Sequence, residues 1–187
     1  LRDAAKSWIG EKSPVAAFRQ LRDSGNADGF DRKAWAEMAG MGWAGILIPE
    51  EYGGSGLGYL TLGLVLEEAG RTLTASPLVS TALAATTALL LAGNDAQKKA
   101  WLPKIAEGKA IAALAVDEGA HHAPAKIALK AAKSGNGWKL SGRKSYVLDG
   151  GTADFLVVAA RSGGKDGDTN GITLFLVDGN ARGLARQ

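Results

Sequence analysis

The sequence predicts an α+β chain of more than one domain. An all-α helical domain is expected over residues 1–109. An antiparallel β-barrel or sandwich is expected over residues 110–187, incomplete at its C-terminal end. Three observations predict this order. Residues up to about 109 are rich in Ala, Leu, Glu, Lys and Arg, with apolar positions at helical spacing. Beyond them, Val, Ile, Leu, Thr and Gly fall in short runs divided by Gly and Asp turns. Within that second half, Ser134-Gly135-Asn136-Gly137 is a hairpin turn between two such runs, with Asn-Gly its strongest element.

The first helical candidate covers residues 2–22 and is interrupted near Gly10 and at Ser13-Pro14. The second covers residues 30–41, with Asp31 as N-cap and Gly42 as its end. Residues 59–73 carry Leu62, Val65, Leu66 and Ala69 on one face and Glu67, Glu68 and Arg71 on the other. Residues 77–91 start with Ser76-Pro77, a cap followed by proline at the first helical position. Residues 95–107 follow Gly93-Asn94, and Pro103 predicts a kink or a restart. Strands are expected at 111–116, 126–133, 138–140, 144–148, 155–161 and 172–177, with a polar, mobile loop at 162–170. The glycines of 48–58 (IPEEYGGSGLG) read as a tight connection between helices with positive φ at one or more of them.

Composition narrows the class. At 187 residues, 46% hydrophobic and 22% charged, the chain can bury a real core. A net charge of +3, spread without runs, gives no argument for nucleic acid. With no cysteine there are no disulfides, thiolate metal sites or cysteine nucleophile, which fits a reducing, cytoplasmic setting. The apolar stretch 78–92 is too short and too hydroxylated for a membrane span. The five tryptophans fit core packing better than a platform for bases.

Little chemistry stands out from residue types alone. IPEEYGGSGLG misses the dinucleotide fingerprint, because Tyr59 falls where the third glycine belongs, and it carries no Gly-Lys-Ser/Thr. His121-His122 beside Asp117 and Glu118 lacks a third ligand at metal spacing, so no metal is expected. Glu50-Glu51 and Glu67-Glu68 read as solvated carboxylates. Ser55, Ser76, Ser80, Ser141 and Ser145 have no convincing base.

The order of segments carries more. Residues 42–58 (GWAGILIPEEYGGSGLG), then LEEAGR at 66–71 and QKKAWLPKIAEG at 97–108, resemble the acyl-CoA dehydrogenase family. ALAVDE at 113–118 resembles the family's A-L-T-E-P segment. LSGRKSYVLDG at 140–150 resembles its (L/I)-x-G-x-K-x-(W/Y)-(I/V)-x-(N/D)-G. The match runs in order along nearly the whole chain.

The resemblance implies an N-terminal helical domain, a middle β domain and a C-terminal four-helix domain, with FAD between the last two. It implies that this chain stops before the C-terminal domain, where the family keeps its catalytic glutamate. No catalytic residue is therefore expected here, and the segment alone is expected to be inactive. The implied reaction is flavin-dependent α,β-dehydrogenation of an acyl-CoA thioester. A carboxylate takes the α-proton and the β-hydrogen leaves as hydride to flavin N5. By resemblance, Leu114, Val116 and Asp117 lie along the flavin edge. Tyr146, Val147 and Leu148 form its other wall, with Tyr146 in place of the usual tryptophan. His122 is the nearest match to the serine that meets pyrophosphate or pantetheine.

Departures are visible as well. Asp117 and Leu148 stand where hydroxyl-bearing residues are common, Gly119 replaces a proline, and residues 120–123 replace G-x-G-S-D. They leave open an alternative, a non-catalytic or FAD-deficient subunit of a heteromeric acyl-CoA dehydrogenase. The implied partners are an acyl-CoA substrate, electron-transfer flavoprotein or a similar acceptor, and further subunits of a homo- or hetero-oligomer.

Overall fold

The computed structural model describes residues 1–187. Its helical half starts with α1 (Arg2–Lys12) and α2 (Val15–Asp23), separated at Ser13-Pro14, while Gly10 stays inside α1. Next comes α3 (Arg32–Gly40), capped by the Asp31 carboxylate, which accepts from the N–H groups of Lys33 and Ala34. Gly42 follows at φ 82° and turns the chain.

The connection 48–58 is held by close backbone pairing. Ser55, Gly56 and Leu57 N–H groups donate to the carbonyls of Gly45, Ile48 and Ile46. Gly53, Gly56 and Gly58 all have positive φ. Leu57 leads into α4 (Gly58–Arg71), whose Leu62, Val65 and Ala69 join Ile9, Phe30, Trp35 and Trp43 in the first core. The sequence placed Glu68 on the wet face, but it is buried. Arg2 Nε lies 2.9 Å and Arg71 Nε 3.2 Å from its carboxylate. Packing α1 across α4 brings Arg2 over a position that helical periodicity alone leaves exposed.

The expected single helix 77–91 is instead a π-helix, Leu78–Ala85, continued by α5 (Thr86–Ala92). Ser76 gives it no side-chain cap; Pro77 holds the cap position. Buried hydroxyls account for the wide turns. Thr86 Oγ1 donates to the Thr81 carbonyl, and Thr81 Oγ1 bonds both the carbonyl and the N–H of Ala112. The last helix, α6 (Asp95–Ala106), opens with an Asn94–Gln97 capping box. Pro103 lies inside it without a restart. Buried Leu102, Ile105 and Ala106 hold the final turn, and Glu107 N–H donates to the Pro103 carbonyl.

Five strands follow: β1 (Ala112–Ala115), β2 (Lys130–Ser134), β3 (Gly137–Ser141), β4 (Phe155–Arg161) and β5 (Ile172–Asp178). The helical-then-strand order is as expected, but the sheet is open and mixed rather than an antiparallel barrel or sandwich. β4 is its centre, antiparallel to β5 along its whole length. β1 runs parallel to its first four residues, and Lys130 of β2 pairs parallel with Arg161 at its end. Every residue of β4 is buried, as befits a central strand covered on both faces. Phe155 and Val157 face the helices through Leu102 and Ile105, and Leu156, Val158 and Ala160 face Leu129 on the other side.

Three local expectations change. Of residues 126–133 only Lys130 onward is strand, although Ile127 and Leu129 point inward as the alternation required. The β2–β3 hairpin turns on Gly135-Asn136, with positive φ at Gly135 alone, so Asn136-Gly137 is not its central pair. Residues 144–148 form no strand. Tyr146 and Asp149 have positive φ, and the stretch is irregular. The 162–170 loop is tied back at both ends by Arg161, whose guanidinium reaches the Gly163, Asp168 and Asn170 carbonyls.

Candidate functional site

A cavity of about 200 Å³ opens where the π-helix, the end of β1 and the irregular 144–148 stretch meet. The π-helix contributes Ser80 and Ala84, two small residues one turn apart. β1 and its continuation contribute Leu114 and Val116, then Asp117 and His122 from the following loop. Ser145, Tyr146 and Leu148 close the opposite side. Leu114 faces the helical core because it alternates with Ala113 and Ala115, which enter the far side of the sheet.

Six of the seven residues singled out from the sequence therefore line one cavity: Leu114, Val116, Asp117, His122, Tyr146 and Leu148. Val147 does not. Its side chain packs with Leu156 and Val158 on the far face of the sheet, while its neighbours Tyr146 and Leu148 are largely exposed. No hydrogen bond within the protein uses the backbone N–H of Tyr146 or Leu148, so both remain donors for a ligand.

The polar wall is built from a network. His122 Nδ1 lies 3.0 Å from both Asp117 oxygens, and Ala123 N–H donates to the same carboxylate at 3.2 Å. The His122 contact holds the Asp117 carboxyl below its ordinary range; burial opposes this, and the Ala123 N–H supports it. The Asp117 carbonyl accepts from Ser145 N–H at 2.8 Å, tying the two sides of the cavity together. Behind them Lys144 Nζ bonds the Val116 carbonyl at 2.8 Å and Glu118 Oε1 at 2.7 Å. Asp149, next to Leu148, accepts from Ser80 Oγ on the π-helix. Burial pushes its carboxyl above the ordinary range, with the Ser80 bond acting the other way.

Ser80 and Ser145 entered the sequence reading only as nucleophile candidates, and Lys144, Glu118 and Asp149 not as site residues. Small residues dominate Leu78–Ala85 (LVSTALAA), so size alone did not single out Ser80 and Ala84. No group of three metal-ligating side chains gathers here or elsewhere.

The family models described as acyl-CoA dehydrogenase, N-terminal domain, and acyl-CoA dehydrogenase, middle domain, match residues 1–109 and 113–187. The chain belongs to the acyl-CoA dehydrogenase family. Among relatives, mitochondrial isovaleryl-CoA dehydrogenase of Pongo abelii is 38% identical, covering 93% of this chain and 44% of its own. A variant of the Tcur3481-Tcur3483 steroid ACAD superposes with a TM-score of 0.84 at 31% identity, covering 98% of this chain and 48% of that one. The ChsE4-ChsE5 complex of Mycobacterium tuberculosis gives a TM-score of 0.83 at 26% identity, with 98% and 47% covered. This acyl-CoA dehydrogenase chain thus spans about half the length of the relatives it matches.

Proposed function

We propose that the protein containing this chain is a flavin-dependent acyl-CoA dehydrogenase that removes the α and β hydrogens of an acyl-CoA thioester. Residues 1–109 and 110–187 would be its helical and middle β domains. The observation that carries the reading is the single cavity that gathers Leu114, Val116, Asp117, His122, Tyr146 and Leu148.

The residues present suit FAD. Leu114, Val116 and Leu148 offer apolar contact and Tyr146 an aromatic face, while the free N–H groups of Tyr146 and Leu148 match the polar edge of an isoalloxazine. When bound, the flavin supplies a two-electron acceptor for the hydrogen leaving the β-carbon. The chain's own contribution is to bind and orient. Leu114 and Val116 keep water from the reacting face, and Ser80 and Ala84 leave space beside it. Lys144 and Glu118 hold the loop that bears Asp117 and His122. The base for the α-proton is assigned to sequence beyond these residues, so nothing here is proposed as catalytic. Electron-transfer flavoprotein or a similar acceptor would reoxidise the cofactor, in an oligomer, in the cytoplasm. No helix is long and apolar enough to cross a membrane.

A second reading is a non-catalytic or FAD-deficient subunit of a heteromeric enzyme. Asp117 and Leu148 favour it, because an ionised carboxylate donates no hydrogen bond and Leu148 offers no hydroxyl. One experiment separates the two. The full-length protein, alone and with any co-purifying subunit, is examined for a visible flavin band released on denaturation and bleached by an acyl-CoA. Flavin bound through this chain's cavity and lost in Tyr146→Ala supports the first reading. A protein that takes up no FAD in either preparation, or binds it unaffected by Tyr146→Ala, sinks it.

A further inference from the structure

We propose that the outward face of the β2–β3 hairpin docks a small acidic protein that carries an acyl group as a thioester on a pantetheine arm, and that this protein delivers substrate to the cavity. The proposal rests on reading the cavity as the site of a thioester dehydrogenase. Its starting point is charge. Residues 119–148 hold six of the chain's 22 Lys and Arg and none of its 19 Asp and Glu. The excess that composition leaves spread over the chain is thus gathered in one segment, and the remainder is net negative.

Alternation sorts the six cations. Ile127 and Leu129 are buried, and Ala131 and Leu140 pack on the far face of the sheet. Gly142 comes so close to Leu129 that a Cβ there would lie 2.9 Å from the Leu129 Cα. Lys126, Lys130, Lys139 and Arg143 therefore point the other way, outward, and all four are exposed. Lys144 turns in to Glu118, and Lys133 lies over the Trp138 ring on the opposite side. Ala132 stands opposite Lys139 and Ser141 opposite Lys130, so these two lysines are diagonal neighbours. None of the four outward cations has an ion pair in the protein. Like charges held together without a counter-charge repel one another, and carboxylates of a partner would relieve this.

Placement and chemistry select the partner. Both ends of the segment enter the cavity, through His122 and through Ser145 and Tyr146. Arg143 is two residues from Ser145. Lys139 is six residues away, up to about 20 Å along extended chain. A patch leading away from the cavity suits a partner whose cargo reaches in on a long arm. It suits an electron acceptor less, since that must approach the cofactor itself. The other outward residues are Ala128, Ala132 and Ser141, so this face has no aromatic side chain to stack bases or to anchor in a bilayer. Trp138 is turned to Phe175 on the opposite side. Three of the four cations are lysines, compact charges suited to steering an acidic surface into place.

The test follows dehydrogenation by the full-length protein with a dye as electron acceptor. The same acyl group is offered on coenzyme A and on an acyl carrier protein. Lys130→Glu/Lys139→Glu should lower kcat/KM for the carrier-bound substrate by about tenfold or more, through KM, and added salt should do the same to wild type. The coenzyme A thioester should change by less than about twofold in this variant. Lys130→Arg/Lys139→Arg should retain the carrier-bound rate. A carrier-bound substrate that is not turned over while the coenzyme A thioester is, or one insensitive to charge reversal, overturns the proposal. So does an equal loss with both thioesters in a variant whose circular dichroism matches wild type.

If neither thioester is oxidised, the dehydrogenase reading fails and docking is judged by binding alone. Acyl carrier protein is then set against a single-stranded oligonucleotide and phosphatidylglycerol vesicles as rival probes. Carrier binding that is tighter than either rival and lost in Lys130→Glu/Lys139→Glu sustains the docking surface. No carrier binding, carrier binding unchanged in that variant, or tighter binding of either rival overturns it.

Discussion

Lys144 Nζ lies 2.7 Å from Glu118 Oε1, and both side chains are largely buried, at 7% and 17% exposed. Glu118 also accepts from the N–H groups of Ala128 and Leu129. One carboxylate thus joins the cavity loop, the approach to β2 and the stretch before Tyr146. Burial alone would raise the Glu118 carboxyl, but Lys144 and the two backbone donors outweigh it and leave it lowered. Lys144→Met strands the carboxylate and should cost about 2–4 kcal/mol in denaturant unfolding, with Lys144→Met/Glu118→Gln recovering part. A lowered folded pKa contributes stability above the unfolded value of about 4.3, lost as pH falls through the folded value. Acid unfolding of Glu118→Gln should therefore be shallower than wild type below about pH 4. Equal acid sensitivity would contradict this.

Asp149 should behave in the opposite sense. Its carboxyl is raised, so the ionised form costs stability above the folded value, and that cost disappears as pH falls below the unfolded one. Asp149→Asn keeps an acceptor for Ser80 and tolerates the φ of 53°. It should match or exceed wild-type stability at neutral pH, by about 1 kcal/mol or less, with the gain shrinking in acid. A loss that grows in acid would refute the assignment.

A Cβ on Gly54 would collide with the Ile48 carbonyl oxygen, whereas a Cβ on Gly63, within α4, meets nothing within 4 Å. Gly54→Ala should destabilise by about 2–4 kcal/mol, since backbone on both sides must move. Gly63→Ala should stabilise by about 0.5–1 kcal/mol through helix propensity. Thermal unfolding of the two variants side by side tests the contrast.

Arg161 donates to five carbonyls and pairs with no carboxylate. Ile127 lies at 2.7 Å, Asn170 and Asp168 at 3.1 Å, Ala125 at 3.2 Å and Gly163 at 3.4 Å. Arg161→Leu leaves these acceptors without a donor and should cost about 3 kcal/mol or more. Arg161→Lys, with three donors and no planar fork, should recover only part of that. Hydrogen exchange should quicken first at Ser162 and Gly163, whose N–H groups bond the Gly171 carbonyl. Uniform destabilisation without that local change would argue against the loop-anchoring role.

Much of this protein is local in origin and was legible in the sequence. Asp31, Gly93-Asn94 and Pro14 act through their nearest neighbours, so these helix limits follow from short-range hydrogen bonding and proline sterics; the partnership of Asn94 with Gln97 emerged only in the structure. β4 was legible because an unbroken apolar run bounded by turns has few other solutions. Six cavity residues were legible only through ordered resemblance, since no residue type among them specifies chemistry by itself.

What tertiary structure decided involves partners far apart in sequence. The parallel pairing of β1 with β4 joins segments some forty positions apart, which no local pattern encodes. Glu68 is buried because Arg2 arrives from α1, and the π-helix exists alongside the Thr86 hydroxyl, which donates to the Thr81 carbonyl, and the Thr81 hydroxyl, which bonds Ala112. The irregular backbone at Tyr146 overrides a strand-like composition, because Asp117, Ser80 and the sheet beneath Val147 each hold it from a different element. Sequence pattern records which residues are apolar and where the chain turns. Which charge meets which, and therefore that Asp117 pairs with His122, is set only when those elements pack.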